Sequence, residues 1–246
     1  MKIKIAIIDS RATDEIVRRL TLYGFQVINL PPFSKLSPAV ASHTDMLIHR
    51  IGNEYISYAE YCDEASYVFT DISLALTKAG AKLSFTGDEV KAEYPNDCRL
   101  NALRMGNKLF CRTDSASDYL LKAARSTGLE IVHTNQGYPA CTVLKLSESD
   151  AVTADRGMAK ILGQHGIRVT LIDNGGISLP PHEYGFIGGA GSVFDGKLYL
   201  LGNLSLHKDA EKIITAAEMA GLEVISLSSA PLVDLGGILF SEGCIY

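Results

Sequence analysis

Apolar positions along the chain fall into short runs of two kinds, and the two kinds alternate. Lys2 to Asp9 is β-branched and closed by Ser10, the mark of a buried strand. Asp14 to Tyr23 carries Ile16, Val17, Leu20 and Leu22 at near-helical spacing, with Thr13 or Asp14 as N-cap and Gly24 just past the last turn. Phe25 to Leu30 is the next strand, stopped by Pro31 and Pro32.

The same succession returns four times, each time opened by a hairpin. The second unit places strands at His43 to Arg50 and Glu54 to Tyr58, a helix at Glu64 to Lys78, Gly80, and a strand at Ala81 to Phe85. The third reads Asp97 to Cys111 as two strands about the turn Gly106-Asn107, then a helix from Ser115 to Ser126, Gly128, and the strand Leu129 to His133. The fourth has strands at Tyr138 to Leu146 and Ala151 to Thr153, a helix capped by Asp155 and running through Gln164, Gly166, and the strand Ile167 to Ile172. The fifth opens at Phe186 to Phe194, turns at Asp195-Gly196, a hairpin signal, and returns at Lys197 to Leu201. Its helix spans about Asp209 to Met219, and after Gly221 its last strand is Leu222 to Leu227. Leu232 to Phe240 remains, a first strand without the rest of its unit, whereas the N-terminal segment lacks a first strand. Joined, the two ends complete the first unit, with its hairpin formed across the termini, which makes five units in all.

Internal repeats of this size call for a ring or a stack. A stack exposes its end units, whereas a ring that borrows a strand from its own C-terminus leaves no free edge. The pattern therefore predicts an α/β fold of five ββαβ units with pseudo-fivefold symmetry, a propeller closed by pairing of the N- and C-terminal segments, in a single domain over residues 1–246. The alternative is an open, doubly wound α/β enzyme. Against it stand the hairpin before each helix and the absence of a glycine-rich nucleotide fingerprint after the first strand, where Asp9 to Ala12 stands.

Composition narrows the class. The 246 residues are 47% hydrophobic and 21% charged, enough for a sizeable core. A net charge of −5 without a basic run gives no expectation of a nucleic-acid partner or a membrane surface. The apolar run Ile5 to Ile8 is too short for a signal sequence, and nothing is long enough for a membrane span, so a cytoplasmic protein is expected. The five cysteines, Cys62, Cys98, Cys111, Cys141 and Cys244, are odd in number, widely spaced and free of any C-x-x-C. They read as reduced thiols, with no metal site and no cofactor expected.

A ring of five such units resembles the pentein superfamily, the guanidine-modifying-enzyme fold, over essentially the whole chain. Two stretches add to the likeness. Gly188 to Gly202 is similar to the glycine-rich hairpin of dimethylarginine dimethylaminohydrolases, and Leu232 to Phe240 is similar to the strand that carries the nucleophilic cysteine in those enzymes and in arginine deiminases. The chain departs from the family at Ala190, where an acidic residue is usual, and at Ile238, Leu239 and Phe240, where the cysteine would fall; Cys244 comes later and is expected beyond the strand. The resemblance implies a small-molecule site in the central channel, for a guanidino or amidine compound processed by a hydrolase or transferase. The superfamily also has a non-enzymatic branch, so a binding protein for a protein or ribonucleoprotein partner is the competing expectation.

In such a ring the first strands line the channel, and aligned repeats bring His43, Asp45, Asp97, Arg99, Cys141, Gly188, Gly189 and Asp234 to comparable places. Guanidine hydrolysis needs a thiolate to attack the guanidinium carbon, an imidazole to carry protons and carboxylates to hold the cation. On this reading Cys141 is the nucleophile, with Cys98 or Cys244 as substitutes, and His43 is the acid/base. Asp45, Asp97 and Asp234 grip the substrate, Arg99 offers a guanidinium to a carboxylate-bearing ligand, and Gly188-Gly189 permits close backbone approach. The plainer reading of Cys141 is a small buried hydrophobe. His182-Glu183, after two prolines, is expected to rim the channel mouth.

Overall fold

The computed structural model describes residues 2–244. Strand β1 (Lys2–Asp9) leads to helix α1 (Asp14–Leu22) and strand β2 (Phe25–Leu30). Then come the single turn α2 (Thr44–Leu47), the hairpin β3 (Ile48–Ile51) and β4 (Glu54–Tyr58), helices α3 (Ala59–Glu64) and α4 (Ser66–Lys78), and β5 (Lys82–Thr86). The next hairpin is β6 (Leu103–Met105) and β7 (Lys108–Cys111), followed by α5 (Asp118–Ser126) and β8 (Glu130–His133). Another single turn, α6 (Pro139–Thr142), precedes β9 (Val143–Lys145), β10 (Asp150–Thr153), α7 (Arg156–Gln164), β11 (Arg168–Leu171) and β12 (Ile177–Ser178). A 3-10 turn at Gly188–Ala190 opens β13 (Gly191–Phe194) and β14 (Lys197–Leu200), a second lies at Leu204–Leu206, and α8 (Ala210–Met219), β15 (Glu223–Ser226), β16 (Leu232–Val233) and β17 (Leu239–Cys244) complete the order.

These strands make small, separate sheets. Among the described residues, five sheets have three strands with one plan: the middle strand pairs antiparallel with the first and parallel with the third, which lies beyond the helix. In one of them the first strand is β17, which pairs with β1 from Lys2↔Cys244 to Ile7↔Leu239. With β17 on one side and β2 on the other, β1 is a central strand, and Ile5 to Ile8 are buried without alternation because both of its faces are covered. The helix starts follow their caps: Thr13, Ser117 and Asp155 each accept a hydrogen bond from the third residue beyond. Gly24, Gly80, Gly128, Gly166 and Gly221 each follow a helix with φ between +67° and +85°, the left-handed conformation that ends a helix without a Cβ clash. Apolar clusters fill the spaces between sheets and helices; the largest includes Phe33, Tyr55, Tyr58, Tyr61, Phe69 and Cys141.

Three expectations are corrected. The first strands are shorter than the apolar runs suggest, because Thr44–Leu47, Pro139–Thr142 and Gly188–Ala190 each make one helical turn before their strand, while 97–102 is turn and coil. One turn of four residues is too short to show a period, so strand and turn look alike in sequence. The run Leu232 to Phe240 is likewise broken: β16 pairs with β12 in a separate two-stranded sheet, and Gly236 and Gly237, at φ +70° and +73°, redirect the chain into β17. Finally, Cys244 belongs to β17 rather than lying beyond it.

Candidate functional site

The residues just before each first strand point toward a common interior. A cavity of about 560 Å³ lies there, and His43, Asp97, Cys141 and Asp234 all line it, together with His182 and Glu183. Asp45 reaches the same place from behind the wall: the Cys141 thiol donates to Asp45 Oδ2 across 2.7 Å. Asn101 Nδ2 donates to Cys141 Sγ at 3.2 Å, while its Oδ1 accepts from the Ala140 amide at 2.9 Å, so Asn101 holds both the sulfur and its backbone. Asp45 also lines a second cavity of about 500 Å³, which makes the Asp45–Cys141 pair the partition between the two spaces.

His43 is fully buried, with Nδ1 3.7 Å from Asp234 Oδ1 and Nε2 4.0 Å from Asp9 Oδ2. Both distances exceed a hydrogen bond, and neither ring nitrogen has a partner. Asp9 is held by Arg11, whose Nε donates to its two oxygens at 3.0 and 3.1 Å. Asp234 accepts from the Phe186 amide at 2.8 Å and the Gly236 amide at 3.1 Å. Asp97 accepts from the Tyr138 hydroxyl at 2.5 Å through Oδ2, leaving Oδ1 buried without a partner.

Burial sets the protonation of this group. Desolvation, helped by the Arg11 charge, lowers His43 to about 3, so the imidazole is neutral at physiological pH. Desolvation raises Asp45 to about 6, against hydrogen bonds that favour its anion. Asp234 rises to about 7 through burial and then the Asp45 charge. Burial, followed by the charges of Asp45 and Asp234, pushes Cys141 well above the ordinary thiol value. The resting site is thus a protonated thiol, a neutral imidazole and two carboxylates that titrate together near neutrality. His43, Asp45 and Cys141 each offer a donor atom within 4.8 Å of the others. A nitrogen, oxygen and sulfur set of this kind could hold a borderline-soft divalent cation such as zinc, which the residue spacing in sequence did not suggest.

Other expected site residues lie elsewhere. Arg99 does not line the cavity; its carbonyl accepts from the Ser117 amide at 2.8 Å and its Nε is buried without a partner. Because 97–102 is not a strand, its residues do not alternate faces, and Asp97 and Arg99 diverge. Cys98 is turned to the Pro95 carbonyl at 3.1 Å, outside the cavity lining. The Cys244 side chain lies outside the described residues. Gly188 and Gly189 are closely packed: a Cβ on Gly188 would meet the Ala140 carbonyl at 2.2 Å, and one on Gly189 would meet Asp234 Oδ1 at 1.9 Å. Asn101, Asp9 and Arg11 went unnoticed in sequence. Asn101 precedes its first strand as Cys141 does, and a carboxylate ending an apolar strand at Asp9 was a signal of its own.

Residues 7–239 match the profile of a family of unknown function, DUF6873. The chain belongs to this family. No functionally curated protein matches the sequence of this DUF6873 member. Solved structures match it in fold. The inosamine-phosphate amidinotransferase of Streptomyces griseus superposes with a TM-score of 0.55 at 17% identity, covering 90% of this chain and 75% of its own. The dimethylarginine dimethylaminohydrolase of Pseudomonas aeruginosa, in a complex with citrulline, gives 0.55 at 11% identity over 92% and 91%. The agmatine deiminase of C. jejuni gives 0.53 at 8% identity over 93% and 90%. The DUF6873 member therefore has the pentein fold shared by these guanidino-modifying enzymes, with mixed α/β structure built on small sheets.

Proposed function

We propose that this protein is a cysteine-dependent hydrolase or transferase of a guanidino or amidine compound, with Cys141 as nucleophile and His43 as acid/base. We further take its five three-stranded sheets to be the blades of one closed, pseudo-fivefold domain around the cavity. The observation that supports the reading is the convergence of the Cys141 thiol, the His43 ring and Asp234 on one cavity, with Asp45 hydrogen-bonded to the thiol from behind its wall.

The chemistry follows from charge. A guanidinium entering beside Asp234, in front of the Cys141–Asp45 pair, drives both carboxylates to their anionic forms and favours the Cys141 thiolate, because a nearby cation stabilises each negative group. The thiol proton passes to Asp45, its hydrogen-bond partner. The thiolate attacks the guanidinium carbon and forms a C–S bond; the C–N bond breaks and the leaving amine takes up the proton. His43 then accepts a proton from water, or from an incoming amine, as that nucleophile attacks the carbon and releases the sulfur. Asp234, fixed by two backbone amides, holds the cation, and Asn101 keeps the sulfur in place. Water gives a hydrolase and an amine gives a transferase.

The test is release of ammonia, urea or amine from a panel of guanidino and amidino compounds. Cys141→Ala should abolish turnover while leaving the circular dichroism spectrum unchanged, and full activity in that variant removes Cys141 from the mechanism. The competing reading, a non-catalytic binding protein, draws support from the elevated Cys141 pKa. It predicts no turnover of any guanidino or amidino compound by wild-type protein, and a protein or ribonucleoprotein partner instead. The open-sheet alternative does not survive the fold.

A further inference from the structure

The cavity that holds Cys141 is one-sided in charge. Asp97, Glu183 and Asp234 line it, Asp45 stands behind its wall, and among the described residues no lysine or arginine lines it. Two guanidinium groups close to its residues are engaged elsewhere, and Arg99, whose Nε is buried without a partner, does not line the cavity. Arg11 is spent on Asp9, and Arg112 donates to Asp114 at 2.9 Å and to the Tyr94 hydroxyl at 2.7 Å. The carboxylates form two separate groups. Asp234 and Asp45 flank His43 and Cys141, whereas Asp97 is bound to Tyr138, next to the ring of Tyr94 at 5.4 Å between centroids. Asp97 is 3% exposed, and its Oδ1 is buried without a hydrogen-bond partner. A buried carboxylate oxygen without a partner is costly unless a donor reaches it, and Asp97 stands in the cavity wall where a bound ligand can supply one. The aromatic faces of Tyr94 and Tyr138 beside it suit a cation as well.

We infer that the substrate of this site is a guanidino-amine without a carboxylate, its guanidinium at Asp234 in front of the Cys141–Asp45 pair and its ammonium at Asp97. The inference rests on the proposed function and narrows it to a substrate class. A guanidino acid would bring its carboxylate to a lining of three acidic side chains with no counter-charge, which repulsion and lost hydration both oppose. A guanidino-amine supplies a donor to the open Asp97 oxygen and neutralises both groups. A cavity of about 560 Å³ is ample for a short chain carrying two cationic ends.

The test uses the full chain and four matched probes: guanidinobutylamine, guanidinobutanol, guanidinobutanoate and arginine. Calorimetric binding and kcat/KM are measured for each with wild type and with Asp97→Asn, which keeps an acceptor for Tyr138 but removes the charge. The expected order is amine over alcohol over the two acids, with the amine favoured over the alcohol by about tenfold or more, the worth of one charge-assisted hydrogen bond. Asp97→Asn should erase the preference for amine over alcohol, read as the ratio of the two kcat/KM values, whereas general loss of folding lowers both probes alike and leaves that ratio as it was. Preference for either acid, or equal use of amine and alcohol by wild type, overturns the substrate class and leaves the guanidino reading standing. Absence of binding and turnover with all four probes, with the fold intact, overturns both.

Discussion

At Cys141 the protein holds a thiol in a state unsuited to attack until charge arrives. The sulfur is buried, hydrogen-bonded to a carboxylate that itself titrates at about 6, and close to another at about 7. A small cation should therefore act as the switch. Alkylation of Cys141 by iodoacetamide at neutral pH, followed by peptide mass spectrometry, should be slow in the free protein and faster with guanidinium chloride at concentrations too low to denature. Equal rates would mean that the cation does not reach the site. The same pair sets a pH dependence of stability. Asp45 has a folded pKa above its ordinary value of 3.8, so the folded state keeps this proton to higher pH than the unfolded chain does. Its contribution is most favourable below about 4 and is lost as pH rises toward about 6, a loss on the order of 1–3 kcal/mol. Asp45→Asn should raise the unfolding midpoint at pH 8 and leave it near wild type at pH 4. An equal drop at both values would show instead that the Asp45 anion is held by its partners. His43, Asp45, Asp97, Cys141 and Asp234 were legible as polar residues in the approach to the first strands, because the repeat aligned them. Arg99 was misplaced because that alignment assumed a regular strand where 97–102 coils.

Single helical turns and paired glycines, rather than long strands, shape the approach to the site. Gly189 packs its backbone on Asp234, with room for no further atom. Gly189→Ala should cost about 1–3 kcal/mol in urea unfolding, as overpacking does, and weaken guanidinium binding by shifting Asp234. Gly163 is the internal control: it lies within α7 and a Cβ there would meet nothing within 4 Å. Gly163→Ala should stabilise by about 0.5–1 kcal/mol without touching ligand affinity. If both variants behave alike, the close approach at Gly189 is not what holds Asp234. Helices α1 and α7, their caps Thr13 and Asp155 and the terminal glycines could be read directly, since local chemistry decides each of them, whereas α3 and the Ser117 cap could not. The turns α2 and α6 could not, because four residues carry no period and their geometry depends on contacts such as the Asp45 amide with the Gly236 carbonyl at 3.2 Å.

Across the molecule, the decisive contact joins the two ends of the chain. β17 covers β1 along six register pairs, and without it the run Ile5 to Ile8 would line an open sheet edge. Deleting residues 239–246 should therefore broaden thermal unfolding and promote aggregation on size-exclusion chromatography. A truncated chain that remained monomeric and cooperative would show that β17 is dispensable to the fold. Among the described residues no helix is long and apolar enough to cross a membrane.

Local residue types were enough for the repeated hairpin–helix–strand order, for the ends of helices such as α1 and α7 and for the borrowing of a strand across the termini, but not for α3 (Ala59–Glu64) or the start of α5 at Asp118. Each of the first three rests on residue types within a few positions of one another, or on their repetition. The assembled fold was needed to show that His43, Cys141 and Asp234 line one cavity with Asp45 bonded to the thiol behind its wall, that Asn101 holds the sulfur, and that Arg99 and Cys98 lie outside the lining. Those outcomes depend on contacts between residues some 40 to 190 positions apart, whose energies come from burial and electrostatics in the assembled interior rather than from any local pattern.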